Sequence, residues 1–137
     1  MYNTSIATAS SDIENQPQEN NNGYMDSPLG DFITDAYLYN TNTKIAITAN
    51  GLIADKLYHG PIVGADIFRT VGYGFDTNTG LGFNLYTCDI RGSELIKGLE
   101  SSLSMIGIDN DFGLQISGFK FAFNSQNPVG QRITGIS

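Results

Sequence analysis

The sequence has one histidine, one cysteine and no lysine or arginine before Lys44. Each scarcity closes off a class of chemistry. A two-metal hydrolytic centre gathers several His and Asp ligands from different loops, and His59 alone cannot supply that set. A single cysteine makes no internal disulfide. Cys88 lies in the run Phe83-Asn84-Leu85-Tyr86-Thr87-Cys88, where it reads first as a small buried side chain and second as a nucleophile. Fourteen acidic groups against seven basic ones give a formal net charge of -7. Such a surface repels phosphate backbones and argues against nucleic acid as a partner. No run approaches the roughly 18 apolar residues of a membrane helix, and the N-terminus lacks the basic-then-apolar order of a signal peptide. The chain as given therefore reads as soluble, with no membrane partner.

With 137 residues, 40% of them hydrophobic, the chain is long enough for one domain with a real core and too short for two. Residues 9–26 are rich in Asn, Gln, Ser and acid, and the stretch 1–26 is expected to be a polar lead-in. Ser27-Pro28 is a helix start, a capping hydroxyl followed by a proline whose missing N–H costs nothing in the first turn. Leu29, Phe32, Ile33, Ala36 and Tyr37 then recur at the spacing of one helical face, which predicts a helix over about 28–40. A short strand over 44–49 follows, then a loop through His59-Gly60-Pro61 and a short helix over 64–71 with Asp66 near its positive end. A strand over 83–90 leads into a second amphipathic helix marked by Leu95, Ile96, Leu99, Leu103 and Ile106. Phe119, Phe121 and Phe123 alternate with Lys120, Ala122 and Asn124 as in a half-buried strand. The turn Asn127-Pro128-Val129-Gly130 joins it to a hairpin partner at 131–136. This order gives an α+β domain, a mixed sheet packed with two main helices.

Candidate chemistry is thin. His59, between Tyr58 and Gly60-Pro61, is a solvated turn residue before it is a catalytic base. Asp109-Asn110-Asp111 has the oxygen-rich look of a calcium loop but no glutamate to close it. Arg69 can present a bidentate fork to a phosphate or carboxylate, or can pair with Asp66 or another acid. Tyr73 and Phe75, set among glycines in "VGYGFD", can stack on a planar ring or pack locally. At Ala49-Asn50-Gly51 a core strand turns polar; Asn-Gly tolerates left-handed backbone, and the Asn50 amide can both donate and accept.

Five segments in order resemble the C-terminal domain of the 5'-nucleotidase family, which includes UDP-sugar hydrolases and cyclic-nucleotide phosphodiesterases. They are Ser27-Pro28-Leu29-Gly30-Asp31, Ile45-Ala46-Ile47 before Asn50-Gly51, Asp66-Ile67-Phe68-Arg69, Arg91-Gly92-Ser93-Glu94-Leu95, and Leu114-Gln115-Ile116-Ser117-Gly118-Phe119. The resemblance implies a substrate-binding domain over 27–137, with a nucleotide or nucleoside held by Asn50, Gly51, Arg69 and Tyr73. It also implies that two divalent metal ions and the hydrolysis belong to an N-terminal metallophosphatase domain, with no cofactor in this chain. The family's habit implies a periplasmic or extracellular location.

The match departs from the family at two places. The family's strand-exit motif ends in an arginine where this chain has Ala54, with Lys56 two residues on. The family's second stacking aromatic follows the Arg132-Ile133-Thr134-Gly135-Ile136 hairpin, so the domain is expected to lack its last strand. An edge left open in that way offers pairing to a second copy. The alternative from a different class is a scaffold domain that kept the fold and lost the ligand. A third is a relative of the same architecture that acts on carrier-bound sulfur groups.

Overall fold

Ser27 starts the first helix as its sequence requires. In the computed structural model its hydroxyl accepts a hydrogen bond from Gly30 N at 3.0 Å, with Pro28 in the first turn of α1 (Pro28–Thr41). The structure describes residues 3–16, 26–72, 75, 76, 78, 79, 81, 82 and 84–137. α1 ends at Asn42, whose left-handed backbone (φ 53°) lets its N–H reach the Leu38 carbonyl. The buried stripe of this helix is not the fully apolar one expected. Leu29 and Ile33 face the core, but Gly30 and Thr34 are buried beside them, while Phe32 and Ala36 are exposed. Thr34 is satisfied locally, its hydroxyl donating to the Gly30 carbonyl at 2.9 Å.

The remaining elements are β1 (Ser5–Ala9), β2 (Ala46–Ala49), β3 (Gly60–Val63), α2 (Gly64–Thr70), β4 (Phe75–Asp76), β5 (Leu81–Gly82), α3 (Gly92–Ser104), β6 (Leu114–Ser117), β7 (Phe121–Phe123) and β8 (Ile133–Ile136). The α+β class and the two main helices are as expected. Where one mixed sheet is expected, the described strands pair as four antiparallel two-stranded ladders: β1 with β3, β2 with β6, β4 with β5, and β7 with β8.

The described part of the expected lead-in takes part in the fold. β1 pairs along β3, Ala9 enters the core with Leu29, Ile33, Ile53, Leu57 and Ile62, and Ile13 exchanges two backbone hydrogen bonds with Leu57 at 2.8 and 3.1 Å. β3 itself replaces the loop expected through Pro61. Proline is tolerated there because, among the described residues, β3 has one partner and an open edge. Both strands are short, and their pairing joins segments more than fifty residues apart, so neither announces itself locally.

Residues 84–90 correct another expectation. They enter no ladder among the described residues, and Leu85, Tyr86 and Ile90 are exposed. Cys88, expected to be buried, is exposed with them. A strand buries its apolar face only when a neighbour lies against it, and here none does.

The phenylalanine strand is divided in two by Gly118. Its φ of 92° suits glycine, and a Cβ there would collide with the Lys44 carbonyl. β6 therefore pairs with β2 in the register Ala46 to Ser117, and β7 turns away to pair with β8. Phe119, Phe121 and Phe123 stay in a row, their ring centroids 6.4 and 6.1 Å apart. α3 is tied to the last hairpin from both sides. The buried Glu100 carboxylate accepts from Arg132 N at 3.0 Å and Ile133 N at 2.7 Å, while the Arg132 guanidinium donates to the Leu103 carbonyl.

Asp31 sits in the first turn of α1 beside Asp26, with Asp35 one turn on. Its carboxyl is pushed up to about 6, chiefly by desolvation of the group although the residue as a whole is exposed, then by a hydrogen bond with Asp26 and by the charges of Asp26 and Asp35. An acid whose folded pKa is raised stabilises the fold fully only below its unfolded value near 4, and that stability is lost as pH rises through 6. Asp31→Asn is expected to raise the melting temperature at pH 7, by no more than about 1 kcal/mol because water screens the site, and to be neutral below about pH 4. Thermal scans at pH 4 and pH 7 test this, and an equal effect at both would remove titration as the cause.

Candidate functional site

At the end of β2 the backbone tightens into a 3-10 turn over Asn50–Leu52, and a second such turn, Asn110–Phe112, packs against it. A cleft of about 330 Å³ opens between them, lined by Asn15, Gln16, Asn50, Gly51, Ile53, Ala54, Asn110 and Asp111. Gly51 has no positive φ, so left-handed backbone is not the reason for the Asn-Gly pair. The reason is proximity: a Cβ on Gly51 would lie 2.9 Å from the Cβ of Asp111. The glycine lets two chain segments meet at the floor of the cleft.

Asn50 is held on three sides. Its backbone N donates to the Gly113 carbonyl at 2.8 Å, its Oδ1 accepts from Gln115 Nε2 at 2.6 Å, and its Nδ2 donates to the Asn110 carbonyl at 3.1 Å. Gln115, fully buried on β6, completes a relay. Its Oε1 accepts from Ser27 N at 2.9 Å and from Ser27 Oγ at 3.3 Å. One buried amide thus joins the cap of α1 to the exit of β2. Burying such a group is tolerable because both of its ends are bonded. Gly30 packs directly on this side chain, leaving no room for a Cβ.

Asp109-Asn110-Asp111 serves this architecture and not a calcium loop. Asp109 Oδ1 accepts from Asp111 N at 3.0 Å and caps the 3-10 turn. Among the described residues no group of three or more His, Cys, Asp or Glu side chains is placed to hold a metal. His59 is exposed at the bend before β3, its backbone N donating to Asp12 Oδ1 at 2.8 Å.

Of the four residues expected to bind substrate, Asn50 and Gly51 line the cleft and Arg69 does not. The Arg69 guanidinium pairs with Asp55, lies 3.7 Å from Asp66 and sits 5.0 Å from the centroid of the Tyr58 ring. Of its two sequence readings, the ion pair is the one formed here. Tyr73 lies outside the described residues. Ala54, at the position where the resemblance calls for arginine, presents a methyl group, and its N–H is taken by the Thr70 carbonyl at 2.8 Å.

Lys56 does not replace that arginine. Its ammonium bridges Asp12 at 2.7 Å and Glu14 at 3.0 Å, and stands 5.2 Å from the Tyr58 centroid. These partners raise the Lys56 pKa, Asp12 most, and the same hydrogen bond lowers that of Asp12. Both cations near the strand exit therefore tie segments together around one tyrosine: Lys56 holds the segment after β1, and Arg69, in the last turn of α2, holds Asp55. Asn15 and Gln16 were not singled out from the sequence, and Gln115 stood only within a matching segment. The Asp109-Asn110-Asp111 cluster was visible, but its spacing says nothing about packing on Asn50.

These features define an α+β domain with a small polar cleft where its second strand ends. A sequence model described as the C-terminal domain of 5'-nucleotidase matches residues 5–137, and the chain belongs to that family. Among solved structures it is similar to the 5'-nucleotidase precursor from Thermus thermophilus, with 26% identity and a TM-score of 0.77 over 98% of this chain and 25% of that one. It also shares the fold of the NAD nucleotidase of Haemophilus influenzae, at 17% identity and a TM-score of 0.74, over 98% of this chain and 24% of that one. The chain thus spans about a quarter of each of these proteins. No curated protein matches it in sequence.

Proposed function

We propose that this domain recognises the nucleoside part of the substrate for a 5'-nucleotidase-like metallophosphohydrolase, whose two metal ions are held by a separate N-terminal catalytic domain. The observation that carries this reading is the polar cleft at Asn50-Gly51 in a chain that matches the family over 5–137. One histidine and no metal-holding group among the described residues suit a recognition role more than a hydrolytic one. Tyr73 remains the proposed stacking ring, and Arg69 reaches a ligand only by releasing Asp55. A periplasmic or extracellular location is part of the proposal, supported by the precursor form of the Thermus relative. Among the described residues no helix is long and apolar enough to cross a membrane. A second copy pairing along an open strand edge belongs to the same proposal.

Adenosine added to the chain is expected to shift the backbone amide resonances of Asn50 and Gly51 with a Kd in the millimolar range, about -4 kcal/mol. The second reading, a scaffold domain, is favoured by Ala54 and by the two bonds that the Asn50 amide makes within the chain. Unmoved resonances at about ten times that concentration would decide for the scaffold.

A further inference from the structure

Residues 84–90 stand apart from the rest of the fold. Neither turn nor bend interrupts them, and all of them are exposed. None of their backbone N–H or C=O groups is bonded among the described residues. Arg91, which follows them, has extended backbone (φ -76°, ψ 142°). Unpaired backbone beside apolar side chains is a ready template for the addition of a strand.

The side chains alternate as a strand requires. Tyr86, Cys88 and Ile90 fall on one face of such a strand, and Thr87, Asp89 and Arg91 on the other. Tyr86 is 90% exposed and Ile90 50% exposed, so the apolar face is left to water. One solvent-facing tyrosine is ordinary, but an apolar row on unbonded backbone is not.

The row complements itself in one register. When two copies pair antiparallel about a two-fold axis through Cys88, Tyr86 of each lies opposite Ile90 of the other, and Cys88 opposite Cys88. Moving the axis to Thr87 would set Leu85 against Asp89 and Asn84 against Ile90. Moving it to Asp89 would carry the pairing into α3, which starts at Gly92. Charge allows the same contact. Six of the fourteen acids precede Lys44, where no cation offsets them. Between 84 and 98, by contrast, Asp89 and Glu94 are balanced by Arg91 and Lys97, so two chains of net charge -7 can meet there with little repulsion.

We propose that two copies of this chain associate by antiparallel pairing of residues 85–91 about Cys88, with Tyr86 of each copy packed on Ile90 of the other. This pairing rests on the open-edge association proposed above, gives that edge an address, and is independent of what the cleft binds.

Sedimentation equilibrium of the full chain from about 10 μM to about 1 mM tests the pairing. A reversible dimer with a Kd of about 100 μM is expected, as suits an interface below standard size. Diamide, which takes two protons and two electrons from a pair of thiols, is expected to fix the dimer through a Cys88 to Cys88 disulfide, because opposed residues of an antiparallel pair stand within disulfide reach. Tyr86→Lys, at an exposed position, is expected to weaken the dimer about tenfold and slow the cross-link in proportion. Cys88→Ser should abolish the cross-link and keep the dimer. A chain that stays monomeric throughout would overturn both this pairing and the open-edge association, and leave nucleoside recognition standing. A dimer indifferent to Tyr86→Lys and not fixed by diamide would overturn the pairing alone. Cross-linking at an unchanged rate in Tyr86→Lys would reduce the disulfide to chance collision of exposed thiols and overturn the register.

Discussion

Gln115→Leu is expected to lower the melting temperature by about 9 °C, roughly 3 kcal/mol for a chain of this size. The side chain is fully buried and bonded at both ends, to Ser27 and to Asn50. Leucine fills the volume but leaves the buried Ser27 N–H and the half-buried Asn50 carbonyl oxygen without this partner. Orphaned groups of that kind cost more than the bonds themselves contribute. Asn50→Ala removes one end only and should cost about half as much. Thermal unfolding followed by circular dichroism measures both, and a loss below about 1 kcal/mol for Gln115→Leu would mean that the relay is replaceable.

Gly118→Ala is expected to cost about 3 kcal/mol or more, from two causes acting together. The φ of 92° is strained for any L residue, and the new Cβ would drive into the Lys44 carbonyl between β2 and β6. Gly130→Ala separates the causes. Its φ is 83° but nothing stands within 4 Å of the added atom, so it carries only the backbone strain, about 1 kcal/mol. Denaturant unfolding of the two variants reads the difference. Equal losses would show that the close approach at Lys44 relaxes at no cost.

The helices were legible because their signals are local. Ser27-Pro28 marks a start by its own chemistry, and Leu99 and Leu103 lie one turn apart on the buried face of α3. β1 and β3 were not legible, because residues 5–9 become a strand only when 60–63 lies beside them. The opposite error came from 84–90, where a strand-like pattern meets no partner among the described residues. β6 misleads in a subtler way: alternation suggests that Leu114 and Ile116 point inward, yet the residue with no exposure is Gln115.

The site was half visible for the same reason. Asn50-Gly51 stands out at the end of an apolar strand, and both line the cleft. Asn15, Gln16 and Asp111 arrive from two other segments, and sequence spacing reports neighbours along the chain only. Arg69 drew attention through its scarcity, but a rare cation in a chain of net charge -7 is surrounded by acids that compete for it.

The crossed bonds of Glu100 and Arg132 bear on how the chain comes apart. The carboxylate on α3 holds the first N–H groups of β8, and the guanidinium before β8 holds the end of α3. Neither element can open without stripping a buried partner from the other. Helix and hairpin should therefore exchange their amide hydrogens as a single cooperative unit, with the last strand as slow as the helix that precedes it by thirty residues.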